Sequence, residues 1–238
     1  MTDAEKISAL EKKIEQMANQ MGMLQDVNDI RRLQHAYGYY LDKCLYDEVV
    51  DLFSEDVEVH FLGGIYKKRA GARRLFCDRF RGNFTGGHNG PIFGFLLDHI
   101  QLQDVIDVNP DRKTAKARFR YLMQAGRHES AGGEVSQWWE GGIYENQYVR
   151  EVGNWKFKVL SPHPIWHADY DTGWAHTRPH YVPIATETCP KDPSGPDALE
   201  DPAPVLWPDT DIYPCHYPHP VTGKWVECSK PLVWGRGA

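Results

Sequence analysis

A phenol, a carboxylate and an imidazole occur in this chain at positions where they could share one site. Tyr37 and Asp42 lie five residues apart in the segment HAYGYYLDK, and His99 follows in LLDHIQLQ. A carboxylate that binds an imidazole fixes its tautomer and raises its basicity, and a tyrosine can donate a hydrogen bond to an oxygen that gains negative charge. Together these three groups could perform acid–base chemistry without a cofactor or a metal.

A helix is predicted to carry the first two groups. It begins near Asp26, Asn28 and Asp29, which are suitable capping residues, and runs to about residue 44. Positions 37 and 42 are about 140° apart around a helix axis, so both can border a cavity that the helix end closes. Tyr40, which lies between them, is a candidate substrate contact.

A strand is predicted to carry His99. Alternation places Gln101 and Gln103 on the same face as His99, so both are candidate substrate contacts. Further strands are expected at about 94–108, 114–128, 134–150 and 154–161, separated by Gly- and Asn-containing turns. In the second of these, Arg118 and Arg120 share one face, and either arginine could bind a phenolate or a carboxylate if that face lines the pocket; alternation alone does not decide which face does.

The chain divides into three zones. Residues 1–26 are predicted to form an amphipathic helix with a coiled-coil-like seam, residues 27–162 an α+β domain, and residues 163–238 an irregular C-terminal extension. The seam would pack on its own domain or on another subunit, and it favours a homodimer or homotrimer. Its apolar residues recur at spacings of three and four: Ile7, Leu10, Ile14, Met17, Met21 and Leu24.

Residues 162–238 hold 14 of the 16 prolines, so little regular structure is expected there. This segment also holds several tryptophans, whereas disordered linkers are poor in aromatic residues. We therefore expect an ordered segment that packs on the domain or on a neighbouring subunit, with Trp166 and His167 near the mouth of the pocket. The pairs His163/His167 and His176/His180 have a spacing that could hold a metal on a helix, but prolines interrupt both pairs, and no metal site is predicted.

Composition excludes several classes of function. The 238-residue chain is 41% hydrophobic with a formal net charge of −6, and it lacks the clustered basic excess of a nucleic-acid-binding surface. No run approaches the roughly 20 apolar residues of a membrane span. The charged N-terminus has no apolar signal region, so the sequence predicts a cytoplasmic protein whose partner is neither nucleic acid nor membrane.

The order of the motifs resembles the SnoaL-like branch of the nuclear-transport-factor-2-like superfamily. The shared features are a tyrosine on the first domain helix, an aspartate near its end, the phrase Asp51-Leu52-Phe53-x-x-Asp56, the His99 strand, and a last hairpin over residues 142–157. The resemblance implies a cone: a strongly curved mixed sheet wrapped around an apolar pocket and closed by helices. Gln103 departs from the family pattern, which often has an asparagine there, and the C-terminal extension is longer than in the small dehydratases.

The resemblance also implies a function. In the dehydratases of this family a tyrosine, an aspartate and a histidine do the chemistry, which maps onto Tyr37, Asp42 and His99. We therefore expect a cofactor-independent lyase that acts on a bulky aromatic small molecule. The favoured reaction is C–C cleavage that releases formaldehyde from a lignin-derived diarylpropane diol. Dehydration of an aromatic or polycyclic alcohol and a non-catalytic ligand-binding cone are the alternatives.

Overall fold

The computed structural model describes residues 2–177, 182–210 and 212–227. Its first element is a single helix, α1, which runs from Asp3 to Asp42 without a break. Thr2 and Glu5 form a capping box at its start. The prediction that a separate domain helix starts near Asp26 is wrong, because the Asp26 side chain is buried and binds the sheet instead of capping a helix.

The first half of α1 extends away from the domain. The six apolar residues of its seam are 52–68% exposed, so this part of the helix does not bury its apolar stripe on its own domain. Burial along α1 begins at Asp26 and Ile30 and continues to Leu41, and this second half packs on the sheet.

In the described ranges the sheet contains eight strands, and the helices that follow α1 are short. The elements after α1 are α2 (Tyr46–Asp51), β1 (Phe53–Phe61), β2 (Gly64–Lys67), α3 (Lys68–Arg73), a π-helical segment (Arg74–Phe80), α4 (Arg81–Thr85), β3 (Phe95–Val108), β4 (Thr114–Arg127), β5 (Ser136–Glu151), β6 (Asn154–Leu160), β7 (Pro162–Asp169) and β8 (Ala198–Leu199), with short 3-10 turns at Glu129–Ala131 and Trp174–His176.

The strands form one curved mixed sheet, which confirms the predicted α+β cone with its N-terminal helix. Its order is β3-β4-β5-β6-β1-β2-β8, with β1 and β6 parallel and the other neighbours antiparallel. The long strand β5 pairs with β4 along one edge and changes partner along the other, where its first half pairs with β7 and its second half with β6. A strand that changes partners in this way curves the sheet around the space that α1 covers.

The extension is more regular than proline content predicts. β7 lies within it and pairs with β5 from Pro162 to Asp169, because prolines at a sheet edge need not donate to a partner strand. Later parts of the extension lie on the same chain's domain: Arg79 binds Asp192, and the guanidinium of Arg118 donates to the carbonyl oxygens of Tyr213 and Pro214. Across the described ranges, no helix is long and apolar enough to cross a membrane.

Buried polar side chains fix α1 on the sheet. Gln34 accepts hydrogen bonds from Asn146 (2.9 Å) and from the Tyr148 hydroxyl (2.9 Å), and its own amide donates to Gln101 (3.0 Å). Asp26 accepts from Arg112 (2.5 Å), Arg150 (3.0 Å) and the Trp155 indole (3.1 Å). Each unsatisfied group would cost free energy, so these bonds specify where α1 lies and thereby set the position of Tyr37 and Asp42.

The Asp26 contacts predict a measurable loss of stability. Burial raises the pKa of Asp26, but its hydrogen bonds and its two arginine partners outweigh this and hold that pKa below its ordinary 3.8. Asp26→Asn should lower the free energy of unfolding by roughly 3 kcal/mol at pH 7, measured by urea denaturation. Glu15→Asn, at an exposed position of the same helix, is the control and should change it by less than about 0.5 kcal/mol.

The same interaction determines how the free energy of unfolding depends on pH. A depressed carboxyl pKa stabilises the folded state above the ordinary pKa and loses that contribution as the pH falls through the folded-state value. The stability difference between the wild type and Asp26→Asn should therefore shrink as the pH falls below about 4. A difference that stays constant down to pH 2 would contradict this role for the Asp26 charge.

Candidate active site

The concave side of the sheet encloses an apolar cavity of about 290 Å³. Such a volume is at the lower end of the range for small-molecule sites. Most of its wall is aromatic and aliphatic, with Phe61, Phe76, Phe80, Phe84 and Trp138 among the lining residues. The polar lining residues are Tyr37, Tyr46, His60, His99, Tyr121, Glu140, Tyr144 and His167.

The end of α1 delivers Asp42 to His99 on β3. The Asp42 Oδ1 atom lies 2.8 Å from His99 Nδ1 and also accepts the backbone N–H of His99 at 2.8 Å. Both side chains are only 10% exposed, and the imidazole lines the cavity. Since Nδ1 faces the carboxylate, Nε2 is the nitrogen available to a ligand, which is the arrangement a general base needs.

Tyr37 lies in the same wall, one helical turn before the end of α1. It is buried, and its ring makes edge contacts with Phe76, Tyr144 and Phe157. Burial raises the pKa of the Tyr37 phenol well above its ordinary value, and the neighbouring Tyr144 raises it further. The hydroxyl therefore stays protonated at neutral pH, where it can donate a hydrogen bond or act as a weak acid. The structure thus places Tyr37 and His99 in the wall of one cavity, with Asp42 bound to His99.

A second charged group in the cavity was missed by the sequence interpretation. Glu140, near the start of β5, has Oε2 2.8 Å from Nδ1 of His167 on β7, and its Oε1 accepts the Tyr121 hydroxyl at 2.7 Å. Burial alone would raise the pKa of Glu140, but the hydrogen bond and charge of His167 and the hydrogen bond from Tyr121 together lower it. Glu140 is therefore a carboxylate inside an apolar cavity.

In the sequence, Glu140 could have been recognised as a charged residue on the cavity-facing side of a predicted strand. It precedes Gly141-Gly142, and a side chain at Gly141 would meet the Trp166 ring at 2.5 Å. Glycines at such a close approach mark where another strand packs. The partner, however, is β7, whose prolines had argued against a strand, so Glu140 and His167 could not be placed side by side.

Gln103 does not reach the cavity, contrary to the prediction. β3 contains a β-bulge between Gln101 and Asp104, where one extra residue stands opposite β4. The bulge ends the alternation on which the prediction relied, and Gln103 is exposed.

The two arginines on β4 are also outside the cavity. The concave face of β4 carries Phe119, Tyr121 and Met123, all buried, so the alternating residues Arg118 and Arg120 point to the convex side. Arg118 binds Glu145 on the neighbouring strand (2.5 Å) and the C-terminal extension, and Arg120 is exposed. The prediction that they contact the substrate is wrong for this reason.

Three further predicted contacts support the wall without lining it. Tyr40 packs against the outside of the core, and Gln101 lies under α1, where it binds Gln34 and contacts Gly38. Trp166 lies on the opposite face of β7 from His167, against Gly141 and the Trp174 ring. Of the predicted substrate contacts, His167 is the one that lines the cavity.

Within the part of the chain that the structure describes, no three His, Cys, Asp or Glu side chains converge as a metal site requires. Desolvation of the half-buried His163 lowers its pKa to about 4 and keeps its imidazole neutral at neutral pH. His180 lies outside the described residues.

Comparison with known proteins places this geometry in a family. The model of the SnoaL-like domain matches residues 22–161, and no curated protein matches the chain. A scytalone dehydratase-like protein from Novosphingobium aromaticivorans DSM 12444 is 25% identical, with a TM-score of 0.50 over 65% of this chain and 91% of that one. The structure of LinA is 16% identical, with a TM-score of 0.52 over 68% of this chain and 99% of LinA, which shows the shared fold. Since the family model spans more than half of its length, the chain belongs to the SnoaL-like domain family.

Proposed function

We propose that this protein is a lyase that needs no cofactor and acts by acid–base catalysis on a bulky aromatic small molecule. The observation that carries the proposal is the His99–Asp42 pair, which is 2.8 Å apart and largely buried, with the imidazole in the wall of an apolar cavity. A ligand-binding domain needs the apolar cavity, but it has no need for an oriented base there. Membership of the SnoaL-like family and the similarity to a scytalone dehydratase-like protein support the lyase class.

The cavity wall indicates the substrate class. Its aromatic side chains offer edges and faces to planar rings, and about 290 Å³ is enough space for a compact two-ring compound. The favoured substrate is a diarylpropane diol of the kind derived from lignin, from which the enzyme would release formaldehyde.

In that reaction, His99 Nε2 takes the proton from a primary hydroxyl. Asp42 fixes the imidazole by accepting from Nδ1 and then stabilises the positive charge that develops on the ring. The neutral Tyr37 hydroxyl donates to an oxygen of the substrate as charge shifts on it. Removal of a C–H proton by the same base, followed by loss of water, would instead give a dehydratase, and the 25% identical relative favours that second candidate.

Removal of the base should abolish most turnover. His99→Ala should lower kcat by about 100-fold or more, because a positioned general base contributes about that much. Asp42→Asn should lower kcat by a similar factor with little change in KM, since it acts through His99. His128→Ala, which changes an exposed histidine outside the cavity, is the matched control and should keep wild-type kcat. Full activity of His99→Ala would contradict the assignment.

Loss of the Tyr37 hydroxyl should have a smaller effect. Tyr37→Phe keeps the ring that packs on Phe76 and Phe157, so we expect a folded protein with kcat lowered by about 10- to 100-fold and KM changed much less. Steady-state kinetics test this, with thermal unfolding as the check on folding. A variant whose KM rises while kcat stays constant would show that Tyr37 only binds the ground state.

A two-ring diol tests the substrate and the bond that breaks. The protein is incubated with a 1,2-diarylpropane-1,3-diol without added cofactor, and formaldehyde and ultraviolet absorbance are followed together. We expect formaldehyde and a stilbene chromophore in equal amounts. A chromophore without formaldehyde would identify a dehydratase, and tight binding of the diol without any product would identify a binding domain.

A further inference from the structure

Three histidines line the cavity, and each is bound to a carboxylate: His99 to Asp42, His167 to Glu140 and His60 to Glu200. The proposed function has used only the first pair, and Glu140 is the one carboxylate of the three that itself lines the cavity. The second pair is Glu140 and His167, with Nδ1 and Oε2 2.8 Å apart and side chains that are 15% and 13% exposed. Both residues line the same cavity as His99. Tyr121 lies between the pairs: its hydroxyl donates to Glu140, and its ring centroid is 6.3 Å from that of His99.

A structural role explains this pair poorly. Glu140 occupies an inward position of β5 opposite Met123, in a wall that is otherwise mainly apolar. Burying a carboxylate with its partner generally stabilises a protein no more than apolar residues of the same size would. Ionisable pairs that persist in a cavity despite this desolvation cost are found preferentially at sites of proton transfer.

We propose that His167, positioned by Glu140, is the general acid that protonates the leaving hydroxyl while His99 accepts a proton from the other end of the substrate. This inference rests on the proposed function and assigns the proton donor that it requires. His167 would touch the substrate, whereas Glu140 would be a positioning residue that stabilises the proton-bearing imidazole. Tyr121 would hold the second oxygen of Glu140.

The chemistry of the diol requires two such groups. The net reaction converts HO–CH2–CH(Ar)–CH(OH)–Ar into formaldehyde, a stilbene and water. One base removes the proton of the primary hydroxyl, the electron pair of the C–C bond becomes the new C=C bond, and the benzylic C–O bond breaks. The leaving hydroxide takes a proton from the acid, so no oxidant or reductant is needed. One proton passes from the substrate to His99 and another from His167 to water, and exchange with solvent after product release restores both histidines.

Replacement of the leaving group tests the assignment. The diol is compared with an analogue in which fluoride, similar in size to hydroxyl and able to leave without a proton, replaces the benzylic hydroxyl. His167→Asn should lower kcat by about 100-fold with the diol and by less than about tenfold with the fluoro analogue. Glu140→Gln keeps the shape of the side chain and should show the same selective loss, with KM changed little.

His99→Ala separates this inference from the proposed function. This substitution should lower kcat by the same factor with both substrates, because both reactions need the base. Suppose that His99→Ala lowers kcat with both substrates and that His167→Asn also lowers kcat by the same factor with both. His167 is then not the acid, and this inference alone is overturned. If neither substrate releases formaldehyde or a chromophore with the wild-type protein, the proposed function itself fails. Unchanged binding of the stilbene product shows that each variant retains its folded cavity.

An independent observation concerns the exposed half of α1. Its seam places Ile7, Ile14 and Met21 at one heptad position and Leu10, Met17 and Leu24 at the other, all more than half exposed. Isoleucine at the first position with leucine at the second favours a parallel two-stranded coiled coil. We infer that this segment binds the same segment of a second copy of the chain in parallel.

Flanking charges support the parallel arrangement. In a parallel pair, Lys6 of each helix lies beside Glu11 of the other, which gives two complementary contacts. In an antiparallel pair with the same apolar layers, Lys13 lies opposite Gln20 and Glu11 opposite Ala18, so neither charge finds a counter-charge. Most of a helix's stability comes from packing of its apolar face, and burial of this stripe on a second copy would supply that packing.

Cross-linking of the full chain tests this arrangement. Met17→Cys should form a disulfide-linked dimer on mild oxidation, because like positions face each other in a parallel pair, whereas Lys12→Cys on the outer face should not. Ile14→Asp should halve the mass measured by light scattering. Failure of Met17→Cys to cross-link beyond the wild-type background, a trimeric mass, or an unchanged mass for Ile14→Asp would each overturn the inference.

Discussion

The Asp42 carboxylate holds His99 in two ways, and the chemistry of the cavity depends on that interaction. One oxygen accepts both the backbone N–H and the imidazole Nδ1 of His99, so it ties the end of α1 to β3 as well as orienting the ring. The same bond therefore closes the cavity and creates the base within it. Any change that shifts α1 along the sheet would move the carboxylate and the phenol of Tyr37 together.

The rest of the fold keeps that contact in place. The Gln34 network and the Asp26 cluster hold α1 at two further points, and each uses buried polar groups that have few alternative partners. On the other side of the cavity, the change of partner along β5 allows β7 to bring His167 to Glu140. One curved sheet thus presents His99 and His167 to a single apolar space, each with its own carboxylate.

Much of this could be predicted from local patterns. Alternation and turn residues located β3 to β6 within a few residues, and the order of the motifs placed Tyr37, Asp42 and His99 in one site. The failures have specific physical causes. The bulge after Gln101 adds a residue that no pattern of alternation reveals, and it moves Gln103 out of the site. The Glu140–His167 pair depends on a strand pairing between distant segments, one of them rich in proline, and no spacing rule reports such a contact.

The central claim is that Asp42 acts through His99, and a double-mutant cycle on kcat tests it most directly. If the two residues form one unit, Asp42→Asn should have no further effect once His99 has been replaced by alanine, so the double variant should be as slow as His99→Ala alone. If the two losses multiply instead, Asp42 and His99 contribute independently, and the account of one oriented base would be contradicted.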